Sequence, residues 1–219
     1  MRLELPDDAA SLTDAVVAAV RDGVQRGELV PGPTYSVYRL ADALGTSRSP
    51  VREAVLRLAE VGLVEIARNR GFRVVVPGAR EVEEIFEVRL ALEPPAAARA
   101  AERGCPDAAD LLATMAAAAT AGDEPAFWAA DRALHHALLV AAGNRRAAGI
   151  VEQLRATTAL LGPPTTATGR TLAEIHAEHA PIVAAVAAGD PDAAAAAMRD
   201  HLRRTAALLA REGAGTPVT

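Results

Sequence analysis

The 219-residue sequence predicts a mainly α protein in two parts: an N-terminal winged helix-turn-helix, built of three helices and a β-hairpin wing, and then an all-α helical bundle. Three observations carry that expectation. Within residues 40–76 a short helix, a glycine stop, a capped second helix and two β-rich runs follow in close order. After Pro77 every segment has helical period and no strand pattern returns. In that second part, an acid and three histidines interrupt apolar helical stripes. The boundary is therefore expected at Pro77, with one domain over residues 1–77 and a second over 78–219.

Ser11, with Asp14 three residues on, can cap a first helix whose apolar positions include Val16, Val17, Val20 and Val24. The run G-E-L-V-P-G at 27–32 ends it in a turn. Leu40, Ala41 and Leu44 form the apolar face of a short second helix, closed by Gly45. The third helix starts almost at once, with Ser47 or Ser49 as N-cap and Pro50 in the first turn, where a missing N–H is harmless. Val51, Val55 and Leu58 then repeat at core-facing spacing. Beyond Gly62, residues 63–66 and 72–76 read as strands joined by the polar turn Arg68-Asn69-Arg70-Gly71.

The second helix of a helix-turn-helix enters the major groove N-terminus first, so base-reading side chains belong in its first two turns. Arg48 and Arg52 sit there, on the face opposite the core positions. Arginine suits guanine O6 and N7 because its planar fork matches two acceptors. Ser49 between them, Arg39 on the preceding helix, and Arg70 with Gly71 at the hairpin tip complete the candidate interface with double-stranded operator DNA. A lone arginine pair is more often simply solvated. Turn, cap, paired arginines and basic hairpin coincide here, and together they favour DNA.

Composition bounds the function classes. The formal net charge is −5, but its acidity is confined to the second part: ten arginines face ten acids through Pro77, and thirteen face eighteen beyond it. Residues 36–77 hold seven arginines and four acids, so the overall balance does not oppose a polyanionic partner. Lysine is absent, and phosphate contacts from cations must come from arginine. The single cysteine, Cys105, excludes an intramolecular disulfide and fits a reducing compartment. No signal-peptide pattern or membrane-length apolar run is visible, so a cytoplasmic protein without membrane attachment is expected.

The second part reads as six helices near residues 81–103, 107–121, 124–142, 144–161, 171–188 and 191–211. Pro94 and Pro95 are expected to kink or split the first of them. The threonine-rich residues 165–171 read as a mobile connection. On the third, Phe127, Leu134, Leu138 and Ala141 trace a stripe whose missing position is Asp131, with His135 one turn away. On the fifth, Leu172, Ile175, Ile182 and Val186 leave a gap at His179. On the sixth, Ala194, Met198, Thr205 and Leu208 flank His201.

Burying a carboxylate or imidazole costs several kcal/mol unless a partner charge or metal compensates. Asp131 and His135 from one helix, with single histidines from two others, would converge as an oxygen-plus-three-nitrogen site for a divalent ion. Zinc is the first expectation, with nickel, manganese or iron as alternatives. An octahedral ion would keep two positions open. His176 rivals His179 as the ligand, whereas His136 lies on a flank. Arg89, another charge at a core-facing position, either clamps an anionic effector or pairs with Glu93 at i+4. No nucleophile elbow, phosphate-binding glycine loop, His-Glu-x-x-His helix or CxxC pair is present.

Taken together, these stretches resemble the GntR family of transcriptional regulators, in the FadR subfamily whose helical ligand domain is called FCD. The resemblance covers nearly the whole chain. It rests on G-E-L-V-P-G (27–32), L-A-D-A-L-G-T-S-R-S-P-V-R-E-A-V-L-R-L (40–58), G-L-V-E (62–65) and R-G-F-R-V (70–74). In the second part it rests on F-E-V-R-L-A-L-E-P (86–94), D-R-A-L-H (131–135), A-A-G-N (141–144), E-H-A-P-I (178–182) and M-R-D-H-L (198–202). It implies that Arg48 and Arg52 contact the operator with the wing near Arg70 and Gly71, and that Asp131, His135, His179 and His201 hold a metal, selecting His179 over His176. It also implies a homodimer whose DNA affinity changes on binding a small carboxylate metabolite. Tyr38 and Arg39 depart from the Ser-Glu or Arg-Glu pair of many relatives, Leu134 replaces a usual phenylalanine, and Pro95 doubles a usually single proline.

The expected function is thus a ligand-responsive regulator, a repressor released from its operator by a small organic acid, and not an enzyme. Two alternatives stand beside it. In one the metal is itself the signal. In the other a metal-dependent hydrolase or lyase is fused to a DNA-binding module, a reading weakened because no glutamate or lysine is visibly placed as general base.

Overall fold

The computed structural model describes residues 3–6, 11–60, 62–68, 70–75, 78–158 and 170–213. It divides into two compact units, residues 1–77, to which 157–163 are assigned, and residues 78–156 with 164–219.

The first unit contains α1 (Leu12–Gln25), β1 (Thr34–Tyr35), α2 (Val37–Ala43), α3 (Arg48–Glu60), β2 (Val64–Ala67) and β3 (Gly71–Val74). Ser11 caps α1 by accepting a hydrogen bond from the Asp14 amide at 3.1 Å. Helix α3 begins at Arg48, directly after Ser47, which places Ser49 inside its first turn. Val16, Val20, Leu40, Val51, Val55, Leu58 and Phe72 are buried in one core. Burying Val51, Ala54, Val55 and Leu58 turns the other side of α3, with Arg48, Ser49 and Arg52, toward solvent.

The wing is more than the expected hairpin. β1 pairs antiparallel with β3, giving a three-stranded sheet in the order β1-β3-β2, with Glu65 opposite Arg73 and Thr34 opposite the same residue on the other edge. Two residues carry too little periodicity to read as a strand, so only the tertiary pairing reveals β1. Gly71 permits that pairing: its φ is +125°, and a Cβ there would lie 1.9 Å from the Tyr35 carbonyl oxygen.

The second unit contains α4 (Ala79–Arg103), α5 (Ala108–Ala121), α6 (Glu124–Ala141), α7 (Arg145–Thr158), α8 (Leu172–Ala188) and α9 (Pro191–Gly213). Helix α4 lies along α9 and against α6 and α8, and α5 packs on α6 and α8. Ala147, Ala148 and Val151 seat α7 against Ala96 of α4 and Leu139 of α6. Asp123 caps α6, and Thr171 with Glu174 forms a capping box at the start of α8.

Pro94 and Pro95 do not split α4, which is assigned as one helix of 25 residues. The two prolines cannot donate to the carbonyls a turn earlier, but buried Val82, Ile85, Phe86, Ala96, Ala97 and Ala100 anchor the helix on both sides of that gap. Of the threonine-rich connection, residues 165–169 lie outside the described residues, as does Pro77 at the expected boundary. Among the described residues no helix is long and apolar enough to cross a membrane.

Candidate functional site

The exposed candidate lies on α2, α3 and the wing. Arg39, Arg48, Ser49, Arg52 and Arg70 are all exposed. The Arg48 guanidinium lies over the Tyr38 ring, 4.0 Å from its centroid, so α2 holds the first side chain of α3 in place. Arg57, two turns further along, is instead committed to Asp14 at 2.9 Å and Glu53 at 2.6 Å. On the wing, Arg68, Arg70 and Arg73 with Glu65, Ile66 and Ala67 line a groove of about 340 Å³. Gly71 is half-buried beneath β1, a packing role that accounts for a glycine there without any partner.

The buried candidate lies between α4, α6, α8 and α9. His135, His179 and His201 are 1%, 0% and 5% exposed, and their ligand-capable nitrogens all lie within 4.8 Å of one another. Each ring has its Nδ1 tied elsewhere. His135 Nδ1 meets the Glu93 carboxylate, His179 Nδ1 faces the Ile175 carbonyl oxygen at 2.8 Å, and His201 Nδ1 faces Glu178 at 3.1 Å. Carboxylate and carbonyl oxygens only accept, so all three Nδ1 atoms carry a proton, while the space between His179 Nε2 and Asp131 Oδ1, 3.0 Å apart, calls for a second proton or a cation.

His135 and His179 turn their Nε2 atoms to a common place. His135 Nε2 and His179 Nε2 are 3.2 Å apart, a separation at which two lone pairs repel unless a proton or cation lies between them. Asp131 Oδ1 reaches the same place, 3.0 Å from His179 Nε2 and 3.9 Å from His135 Nε2, while its Oδ2 accepts from Arg155. Outer partners that fix tautomer and ring direction are the usual support of a histidine metal site, and the donor set fits a divalent ion.

Electrostatics agree with neutral rings at His135 and His201. Burial pushes His135 down to about 4, with the Arg155 charge acting in the same direction, and pushes His201 down to about 3, helped by His179. The acids run the other way. Burial alone would raise Glu93 and Asp131, but Arg89 and His135 hold Glu93 well below the usual carboxylate range, and Arg155 and His179 do so for Asp131.

The structure brings together Asp131, His135, His179 and His201. His176 is outside the three-histidine cluster and only half-buried, and His136 is exposed, 4.0 Å from Glu152. Arg89 is buried with its Nε donating to Glu93 at 2.6 Å, so the i+4 pair forms, and its guanidinium also lies over Phe86 at 4.7 Å. Sequence reasoning passed over three contributors. Glu93 was visible only as a mate for Arg89. Glu178, bound at 2.9 Å by Arg170, and Arg155 carried no signal beyond an inward register, because their contacts are made across helices.

Residues 84–204 match the family model "FCD domain", and residues 12–74 match "Bacterial regulatory proteins, gntR family". The "Probable D-xylose utilization operon transcriptional repressor" of Paenarthrobacter nicotinovorans is 33% identical over 89% of this chain and 90% of its own length. An uncharacterized HTH-type transcriptional regulator from the TAR-I ttuE-ttuC' intergenic region of Agrobacterium vitis is 36% identical over 64% of this chain and 88% of its own. Among solved structures, Escherichia coli McbR/YncC superposes with a TM-score of 0.76 at 26% identity, covering 93% of this chain and 99% of that one. The families and relatives are transcriptional regulators, not enzymes.

Proposed function

This chain belongs to the GntR family of transcriptional regulators and carries an FCD domain, and from that premise we propose that it is a homodimeric repressor whose operator affinity falls when a small carboxylate binds at a metal centre in the FCD domain. The observation that carries the reading is three buried imidazoles, each with a partner at Nδ1, whose ligand-capable nitrogens gather within 4.8 Å of one another beside Asp131. His135, His179, His201 and Asp131 hold the ion, zinc first among divalent candidates. Such an ion supplies Lewis-acid positions for a carboxylate oxygen. The chain's own residues orient the rings, exclude water from the cluster and place guanidinium groups, Arg89 among them, beside the incoming acid.

On the DNA side, Arg48 and Arg52 read base edges from the start of α3, with Ser49, Arg39 and Arg70 on phosphates. Two copies present two such helices to a pseudo-palindromic site, and the acid alters their spacing. Repression rather than activation is favoured by the name given to the Paenarthrobacter relative.

One experiment tests the centre and its role together. Elemental analysis of protein purified without chelator is expected to find near-stoichiometric divalent metal, and His179→Ala to lose it while His176→Ala retains it. Chelation is expected to lower the melting temperature and blunt release from the operator by added acids. Metal-free protein that ignores added zinc, nickel and manganese, yet is released from DNA by an acid, would leave the cluster an ordinary polar core.

A further inference from the structure

Of the two arginines at the start of α3 one is held and the other is not, and from that contrast we infer that Tyr38 is a specificity-determining residue: its ring aims the Arg48 guanidinium, so that operator discrimination is concentrated at the base pair Arg48 reads. The inference rests on the DNA-side reading above and deepens it. Tyr38 is the second residue of α2, and Arg48 is the first of α3. Leu40 and Ala41 bury the inner side of α2, and Val51, Ala54 and Val55 that of α3. Both side chains are left outside. Tyr38 is 49% exposed and does not belong to the core of the first unit, so packing does not account for a large ring there.

The contact it makes is with a cation. Arg48 Cζ lies 4.0 Å from the ring centroid, well within the range at which an aromatic face attracts a guanidinium. Stacking engages the flat face of that group. Its five N–H donors lie in the plane and project from the edge, where a pair of acceptors can still be met. Among the described residues no hydrogen bond or ion pair engages Arg48 or Arg52, and no ring lies against Arg52. Arg57 is already spent on Asp14 and Glu53. Three arginines of one helix are thus in three conditions, and only Arg48 is both held and open.

Holding matters because ordering a long side chain at an interface costs free energy. The stack meets that cost for Arg48 before DNA arrives. On an unrelated duplex arginines settle on phosphates, which a mobile side chain finds as well as a fixed one, so the stack gains little there. On the right site the fixed fork meets guanine O6 and N7 without further ordering. An interaction that strengthens one complex and not its competitors is a source of specificity. Tyr38 acts through Arg48 as a positioning residue; the ring face does this, not the hydroxyl.

The test is to recover an operator from random duplexes with the full-length parent, then titrate it, its single-base variants and a scrambled duplex with Arg48→Ala, Tyr38→Ala, Tyr38→Leu and Tyr38→Phe. Arg48→Ala identifies the base pair this arginine reads. Tyr38→Ala and Tyr38→Leu are expected to lower discrimination at that same pair by about two- to fivefold, the scale of an exposed cation–π contact. Binding to the scrambled duplex and the salt dependence of affinity are expected to stay as in the parent, because no phosphate contact is lost. Tyr38→Phe keeps the ring and is expected to restore discrimination, and Tyr38→Ala to add nothing in an Arg48→Ala background. Unchanged discrimination in Tyr38→Ala, or discrimination kept by Tyr38→Leu, overturns the role of the ring. A loss in Tyr38→Phe with a flatter salt dependence also overturns it and makes the hydroxyl a phosphate contact. Parent-like preference at every pair in Arg48→Ala overturns instead the base-reading role given to that arginine under the reading above.

Discussion

The two candidate sites use the same residue type under opposite conditions. On α3, Arg48 and Arg52 are exposed and rest on a helix whose other face makes the core. In the second unit, Arg89 is 3% exposed, and its partner Glu93 is 1% exposed. A solvated arginine is free to wait for a partner and contributes little to the fold. A buried one must be matched at once, and its match becomes part of the architecture. One region can therefore change its ligand without unfolding, while the other ties ligand chemistry to stability.

The sharpest way to break this comparison is to remove one member from each region. Glu93→Ala leaves Arg89 and His135 without their buried acid and is expected to destabilise the fold by about 3 to 5 kcal/mol. Arg52→Ala is expected to stay within about 0.5 kcal/mol. Urea denaturation of the two variants reads the difference, and equal losses would erase the distinction.

Acid sharpens it further. In chelator-treated protein, His135 at about 4 and His201 at about 3 sit below their unfolded values because burial penalises the charged rings. The unfolded chain then takes up protons near pH 6.5 that the folded chain refuses, so stability is full above that pH and declines as pH falls toward the folded values. The expected slope for the two rings together is about 3 kcal/mol per pH unit. Melting temperatures that stay flat from pH 7 to 5 would show that the rings are not buried neutral.

On the exposed side, Arg48→Ala or Arg52→Ala is expected to cost roughly 1 to 3 kcal/mol of specific operator affinity with an unchanged melting temperature. Gel-shift titration against a selected operator and a scrambled duplex checks it. Parent-like discrimination in both variants would remove these arginines from the interface.

The smallest effect concerns the stack beneath Arg48. Tyr38→Ala is expected to lose about 0.5 to 1 kcal/mol of operator affinity, and Tyr38→Phe to lose almost none, because the ring face and not the hydroxyl holds the guanidinium. Equal losses in the two variants would point to the hydroxyl instead.

Much of this was legible in the order of residues, because helix and strand periods, caps and glycine stops are local properties. Ser11 caps the helix it was expected to cap, and the inward register of Asp131, His135, His179 and His201 follows from the stripes they interrupt. The tertiary structure decided what lies across from each of them. That Glu93 meets His135, that Glu178 meets His201, that Arg155 takes the outer oxygen of Asp131, and that a two-residue strand covers Gly71 depend on the axial register of one element against another. Periodicity fixes a side chain's angle around its own helix. It leaves open the height at which the neighbouring helix presents its partner, and packing across the interface sets that height.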